Sequence, residues 1–548
     1  MGLNDDSSYA SIARGFAATG HVSYNGWTAV MLLPQLLWAA PFIKLFGFSF
    51  LVTRVSTVAL ALFLVPVVYF LGRESGLLPP FAAFAAVLSV LSPLTMPEVV
   101  SFMSDVPAFL FFALCLYASI RAWKAGSAAA CVRWGALAAI AGFLGGLERQ
   151  IYWLAPLLFL PVIVWVQRPR KRAVIGIAIA WAAVIVAIIV SLGWYAAQPY
   201  TLHEDLAAAW RTMSAGTLLH RQLLLVCQYA FTLALLLVPL LAGFVAPGLR
   251  AAPRILSGAA IAIVLATGAA SLHWESLQAP LMGNVLTHYG AVPYGVVVFG
   301  DKVLVLGRAA GVAISMAVVL CCAGCLLAVW ARRKGLGMRR FPRPTVAPLT
   351  ALGALFTVSS LAVILARSAG AAASDRYVIP YVPLAAIPLL WFFQQHLRHT
   401  ISRSSWLALA MFVMYGIAVT HDAFSGARAR LAAANDLQQA GIPRTEISAG
   451  FDYDVLTQLE TWGYVNHNLI VFPPGAFHQP VCAGPEDVRP WYLWLTPSVQ
   501  PRYVISLSRI AGWSSGPAGP VSYTTWLPPG RREVFAQAVP EKIRFACR

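Results

Sequence analysis

The chain alternates long apolar runs with short polar joints. Runs long enough to form spanning helices fall at 51–72, 81–100, 105–123, 131–148, 150–167, 173–195, 222–246, 255–272, 303–330, 346–367, 377–393 and 404–420. A hydrocarbon core about 30 Å thick and a rise of about 1.5 Å per residue call for about 20 apolar residues per crossing. The pattern therefore predicts an all-α polytopic bundle of about twelve spans, several of them paired as tight antiparallel hairpins. Pro66, Pro156 and Pro388 lie inside runs. That is tolerable in lipid where neighbouring helices satisfy the freed backbone groups. The segment 28–47 is apolar too, but Trp27, Pro34, Trp38, Pro41 and Lys44 suit a helix lying at the interface or re-entering it.

From about 422 the texture changes to one rich in Pro, Trp, Tyr and charge. Residues 426–440 read as an amphipathic helix ended by Gly441 and Pro443. ISAGF, LIVF, RYVISLS and VSYTTWL read as short strands. The division expected is a transmembrane unit at 1–421, with a first extracytoplasmic loop at 1–50, and a small soluble α/β domain at 422–548.

Composition agrees. Of 548 residues, 59% are hydrophobic and 11% charged, and the mean hydropathy is +0.72. Soluble domains carry roughly 25% charged residues. The net charge of +18 is mainly a signal of orientation. Loops on one side of the bundle hold 18 basic residues, Arg332 and Arg398 among them, against a single acid, Glu74. By the positive-inside rule that side is cytoplasmic. Asp5, Asp6, Glu98, Asp105, Glu148, Glu204, Asp205, Glu275, Asp301 and Asp375 fall on the other. Nucleic-acid binding is excluded, because the basic clusters occupy short hairpin loops with no stacking platform beside them. The phosphate-binding and dinucleotide Gly motifs are both absent.

Ionisable residues at helix mouths in a membrane protein point to function. Asp5 and Asp6 open a short helix over 7–19, and Asp105 opens the run 105–123. Each could serve only as a helix cap. Brought together, such carboxylates could act as a general base or hold a divalent metal, with Asp5 and Asp105 as its ligands. Glu148-Arg149-Gln150 tops a tight hairpin, where Arg149 could grip a phosphate or pair internally with Glu148. Asp375-Arg376-Tyr377 opens another run, and there Arg376 could bind phosphate or anchor at the interface with Tyr377. The loop 273–301, with His273, Glu275, His288, Tyr289 and Tyr294, could cover a groove. Cys482 and Cys547 could form a disulfide in an oxidising compartment. Cys321, Cys322 and Cys325 sit mid-span without a nearby His and read as packing residues.

Several of these motifs occur together in one known family. NDDSSYASIARGFAATG resembles the first extracytoplasmic loop of GT-C superfamily glycosyltransferases, where an acidic pair precedes Tyr-Ala and a short helix. Phe46-Gly47 with Arg54 and Ser56, then SDVPAFLFF, LERQ and DRYVIPYVP, match further family segments in order across about 3–390. The branch resembled is glycosyltransferase family 39-like, holding protein O-mannosyltransferases and the lipid A aminoarabinose transferases.

The resemblance implies transfer of a sugar from a polyprenyl-phosphate carrier to an extracytoplasmic acceptor at a bacterial inner membrane. Asp5, with Asp6 beside it, would supply the base. Asp105 would orient the acceptor or a divalent metal. Arg149 and Arg376 would hold the lipid phosphate, with Tyr9, Glu148 and Tyr377 lining the substrate site. The partners implied are the lipid-linked sugar, membrane lipid and the acceptor. There are departures from the family pattern. Ser8 stands where the aminoarabinose branch has Arg, and the following loop lacks a clear basic counterpart. The family's first spanning helix also has no counterpart, so a thirteenth span is expected upstream. A transporter or flippase, and an inactive envelope scaffold, are the rival readings.

Overall fold

A computed structural model describes residues 5–204, 211, 213–290, 298–335, 345–368, 373–480 and 490–541. Tyr294, Asp205, Cys482 and Cys547 lie outside the described residues, and the proposed disulfide with them. Among the described residues, 11 helices are long and apolar enough to cross a membrane. The chain is a polytopic helical membrane protein with a small C-terminal sheet.

The order begins with two helices too short to span. These are α1 (Asp6–Thr19) and α2 (Leu33–Phe46), the latter leaving Leu37, Leu45 and Phe46 exposed. Its 14 residues reach about 21 Å, short of the hydrocarbon thickness of about 30 Å. The bundle follows as α3 (Phe50–Glu74), α4 (Pro79–Val90), α5 (Thr95–Val99), α6 (Asp105–Trp123), α7 (Ala128–Glu148), α8 (Leu154–Gln167) and α9 (Lys171–Ala196). It continues as α10 (Ala215–Leu236), α11 (Val238–Ala251), α12 (Arg254–His273), α13 (Arg308–Gly335), α14 (Ala347–Ser368), α15 (Tyr381–His396) and α16 (Arg403–Gln439). The lipid-facing surface is visible on α9, where Ile175, Ile179, Val186, Ile189 and Val190 are exposed. Inside, small residues allow close contact. A Cβ on Gly248 would fall 2.1 Å from the Gly324 carbonyl, so α11 and α13 meet backbone to backbone.

Three expectations about the helices need correction. The run 81–100 is not one helix: it breaks after Val90 at Ser92-Pro93 and resumes as α5, because proline removes a backbone donor. The run 222–246 starts earlier, at Ala215, and is interrupted at Leu237 just before Pro239. Residues 426–440 are not a separate helix. They continue the last span without a break, giving α16 a length of 37 residues, or about 55 Å. Polar His421-Asp422 hid that continuity. The Asp422 carboxylate accepts the backbone N–H groups of Trp526 and Leu527 at 2.7 and 3.1 Å, tying the helix to the sheet instead of ending it.

The C-terminal domain pairs α17 (Phe451–Trp462) with a five-stranded sheet. Strand β1 (Ile447–Ser448) runs parallel to β2 (Tyr503–Ser506), with Ile447 opposite Tyr503. Strand β5 (Arg531–Ala538) is antiparallel to β2, to β3 (Ser514–Ser515) and to β4 (Val521–Thr524). Ala433 and Leu437 of α16, Tyr453 of α17, and Ile505 and Val534 of the sheet share one core. LIVF is not a strand; Ile470 forms only an isolated bridge to Leu202. The longest strand, β5, escaped notice because its first three residues are charged.

Candidate functional site

The acids and arginines expected at one end of the bundle meet there. Helix α1 opens with Asp5 at its N-cap position, but Asp5 has helical φ and ψ and its side chain makes no capping bond. The carboxylate is free to turn away. Its Oδ1 accepts from Trp27 Nε1 at 3.0 Å. Its Oδ2 faces the Arg376 guanidinium at 3.4 Å. Asp105 behaves alike: Ser104 holds the cap position of α6, with no side-chain cap. The Asp105 Oδ2 accepts from Arg149 Nη2 at 2.6 Å and lies 3.5 Å from Arg376 Nη1. Capping, open as an alternative for both groups, is thus not what either carboxylate does.

Arg376 links the two acids. It belongs to a single 3-10 turn, Asp375–Val378, where Pro380 and Pro383 keep α15 from starting sooner. Its Nε donates to Ser374 Oγ at 3.1 Å. Neighbouring Asp375 does not face the acids. It accepts backbone N–H groups from Val285 and Leu286 at 2.8–3.0 Å. The loop after α12 is thereby fastened to the turn that carries Arg376. Ser374 also donates to Asn284 Oδ1 at 2.8 Å.

Arg149 sits between α7 and α8, its guanidinium 5.8 Å from the centre of the Tyr377 ring. Its Nε is buried without a partner. Burial works against its charge, yet Asp105, Tyr377 and Tyr9 around it raise its pKa above the ordinary value. Tyr9, 5% exposed, has its phenol pushed up by burial and then by Asp5. It stays protonated and is no base.

Two predicted residues join other networks. Asp6 is fully buried and paired with Arg54, whose Nε and Nη2 approach its Oδ2 at 3.2 and 3.0 Å. Arg54 in turn lies 4.6 Å over the Phe424 ring of α16. Glu148 does not pair with Arg149 in the way the sequence left open. It is fully buried and accepts the Gln35 backbone N–H at 2.6 Å, its other oxygen lacking a partner. It anchors the start of α2 rather than lining the cluster.

Asp5 and Asp105 are each engaged by arginine here. The oxygens a metal would need face two guanidinium groups, and no set of three metal-ligating side chains occurs among the described residues.

Sequence reasoning gave no role here to three residues. Trp27 counted only as an interfacial anchor. Arg367 pairs with Glu204 and donates to the Tyr377 hydroxyl at 2.5 Å. It stands in the last turn of α14, on the side of the bundle that bears the acids, and a basic residue on that side was the available signal. Glu98, 3% exposed in the short α5, has an oxygen without a partner, and Asp105, Arg376 and Arg149 act on it electrostatically. Its signal was an ionisable residue inside an apolar run.

Neither a protein-family model nor a curated protein matches this chain. Among solved structures, it is similar to the crystal structure of ArnT from Cupriavidus metallidurans in the apo state. The identity is 14% and the TM-score 0.36, over 98% of this chain and 95% of that one. It is likewise similar to the structure of ArnT from the same organism bound to undecaprenyl phosphate, at 14% identity and a TM-score of 0.33, over 99% and 95%.

Proposed function

We propose that this chain is a membrane glycosyltransferase that moves a sugar from a polyprenyl-phosphate donor to an acceptor on the side of the membrane bearing the acids, outside the cytoplasm of a bacterial cell. One observation carries the reading: Arg376 and Arg149, nearly buried at a helix mouth, face the carboxylates of Asp5 and Asp105. The family resemblance of the segments holding these four residues supports it.

The roles follow from the chemistry. Asp5 takes the proton of the acceptor hydroxyl. The acceptor oxygen bonds to the anomeric carbon as the bond from that carbon to the phosphate oxygen breaks. The polyprenyl phosphate leaves with one more negative charge. Arg149 and Arg376 meet that charge in a site largely closed to water, where fixed cationic donors act most strongly. The unpartnered Nε of Arg149 leaves a donor for a forked contact. Asp105 orients Arg149, and Asp6 with Arg54 fixes the helix that carries Asp5. A transporter would place its ionisable residues near the bilayer midplane, whereas these gather at helix ends.

The test is transfer from polyprenyl-phosphate sugars by the purified protein, wild type against Asp5→Asn. Transfer that survives Asp5→Asn intact overturns the assignment of the base.

A further inference from the structure

The C-terminal domain meets the bundle at the loop behind Asp5. Residues 24–27 are held from both sides. Toward α1, Asn25 and Ser8 exchange two hydrogen bonds: the Ser8 hydroxyl donates to Asn25 Oδ1 at 2.8 Å, and Asn25 Nδ2 donates to the Ser8 carbonyl at 3.1 Å. Toward the C-terminal domain, Val465 N donates to the Asn25 carbonyl at 2.8 Å. The Trp27 ring lies 4.9 Å from that of Phe451, the first residue of α17, and 6.2 Å from that of His467. Gly26 makes the approach possible. Its φ is +79°, and a Cβ there would fall 2.5 Å from the Val465 carbonyl oxygen.

Trp27 is therefore packed by one domain and hydrogen-bonded to the acid of the other, through Nε1 to Asp5 at 3.0 Å. We propose that the C-terminal domain is a working part of the site, with Phe451 holding the Trp27 indole so that its N–H fixes the Asp5 carboxylate toward Arg376. Trp27 and Phe451 are positioning residues in this scheme. The inference rests on Asp5 as the base. Without the indole the carboxylate is tethered only by Arg376, at the long distance of 3.4 Å, and samples orientations that cannot reach an acceptor. A 1 Å misplacement at a reacting group is enough to cost a large part of the rate.

The experiment is a double-mutant cycle in the full chain. Trp27→Phe keeps an aromatic ring and removes the donor; Phe451→Leu keeps an apolar side chain, somewhat smaller, and removes the aromatic platform. Each is expected to lower turnover roughly tenfold, the scale of one hydrogen bond to a charged group. The double variant should be no worse than Trp27→Phe alone, because both act through one contact. Phe451→Tyr should retain turnover. Undecaprenyl phosphate should bind each variant with wild-type stoichiometry, since Arg149 and Arg376 are untouched. Additive losses, or full turnover by Trp27→Phe, overturn the proposal.

Amide hydrogen exchange supplies an arm independent of activity. Phe451→Leu, and separately Gly26→Ala as a wedge against Val465, should speed exchange across residues 5–9 and 24–27. Unchanged exchange in both variants overturns the clamp. If the wild type transfers no sugar, the transferase reading fails while the exchange arm still decides whether the domain holds this loop.

Discussion

Arg149 reaches Asp105 across 2.6 Å, joining the hairpin between α7 and α8 to the start of α6. The contact partly neutralises the charge of Arg149. Asp105→Asn removes that neutralisation without removing volume. Binding of undecaprenyl phosphate should therefore hold or tighten in Asp105→Asn, because the guanidinium is released to the ligand. Turnover should fall by about 10²-fold, the scale expected where a fixed group sets the reacting geometry. Calorimetry with the lipid phosphate, set beside transfer rates, checks both directions at once.

Asp5 and Asp6 are adjacent in sequence and differ in partner, Arg376 for the one and Arg54 for the other. Asp6 is fully buried against Arg54, and removing one partner of a buried pair typically costs about 3–5 kcal/mol. Asp6→Asn should lower the thermal midpoint sharply. Asp5→Asn should leave it near wild type and reduce turnover by about 10²–10⁴-fold, the usual contribution of a positioned base. Unfolding curves with transfer assays on the two variants separate them. Equal loss of stability in both contradicts the division.

Arg149→Lys tests geometry against charge. A lysine keeps the positive charge but loses the planar fork and the contact with the Tyr377 ring. Donor affinity should drop roughly tenfold, about what one charge-assisted hydrogen bond contributes. Unaltered affinity would mean that charge alone suffices there.

Much of this arrangement was legible in the chain. The apolar runs gave the spans because the bilayer sets their length, and the asymmetry of charge put Asp5, Asp105, Arg149 and Arg376 at one end. Side-chain direction was not legible. Adjacent Asp5 and Asp6 read alike in sequence, yet successive helical positions point about 100° apart, so one meets Arg376 and the other Arg54. The breaks at Ser92-Pro93 and at Leu237 were written in prolines that lipid tolerates in unbroken helices elsewhere in this chain, as at Pro66. The continuity of α16 depended on partners about a hundred residues away, Trp526 and Leu527. The clamp on Trp27 by Phe451 joins positions with no local signal linking them.

The C-terminal domain should be more stable in mild acid than in mild base. Burial, with the charges of Asp6 and Asp5 nearby, pushes the Asp452 carboxyl up to about 7 against the lowering effect of Arg430. Burial pushes Asp454 up to about 8, although Ser448 and the Ala449 N–H donate to it. An unfolded aspartate titrates near 3.9. A folded value above the unfolded one means that the fold favours the protonated form. That contribution is fully present below about pH 4 and is lost as pH rises through 7 and 8. The thermal midpoint in detergent at fixed ionic strength should therefore fall from roughly pH 4 to roughly pH 8 and level off above that. Asp454→Asn, which keeps the shape and carries no charge, should flatten that fall and raise the midpoint at the alkaline end. A midpoint that climbs over this range in the wild type would show that the two carboxyls are ionised in the folded chain.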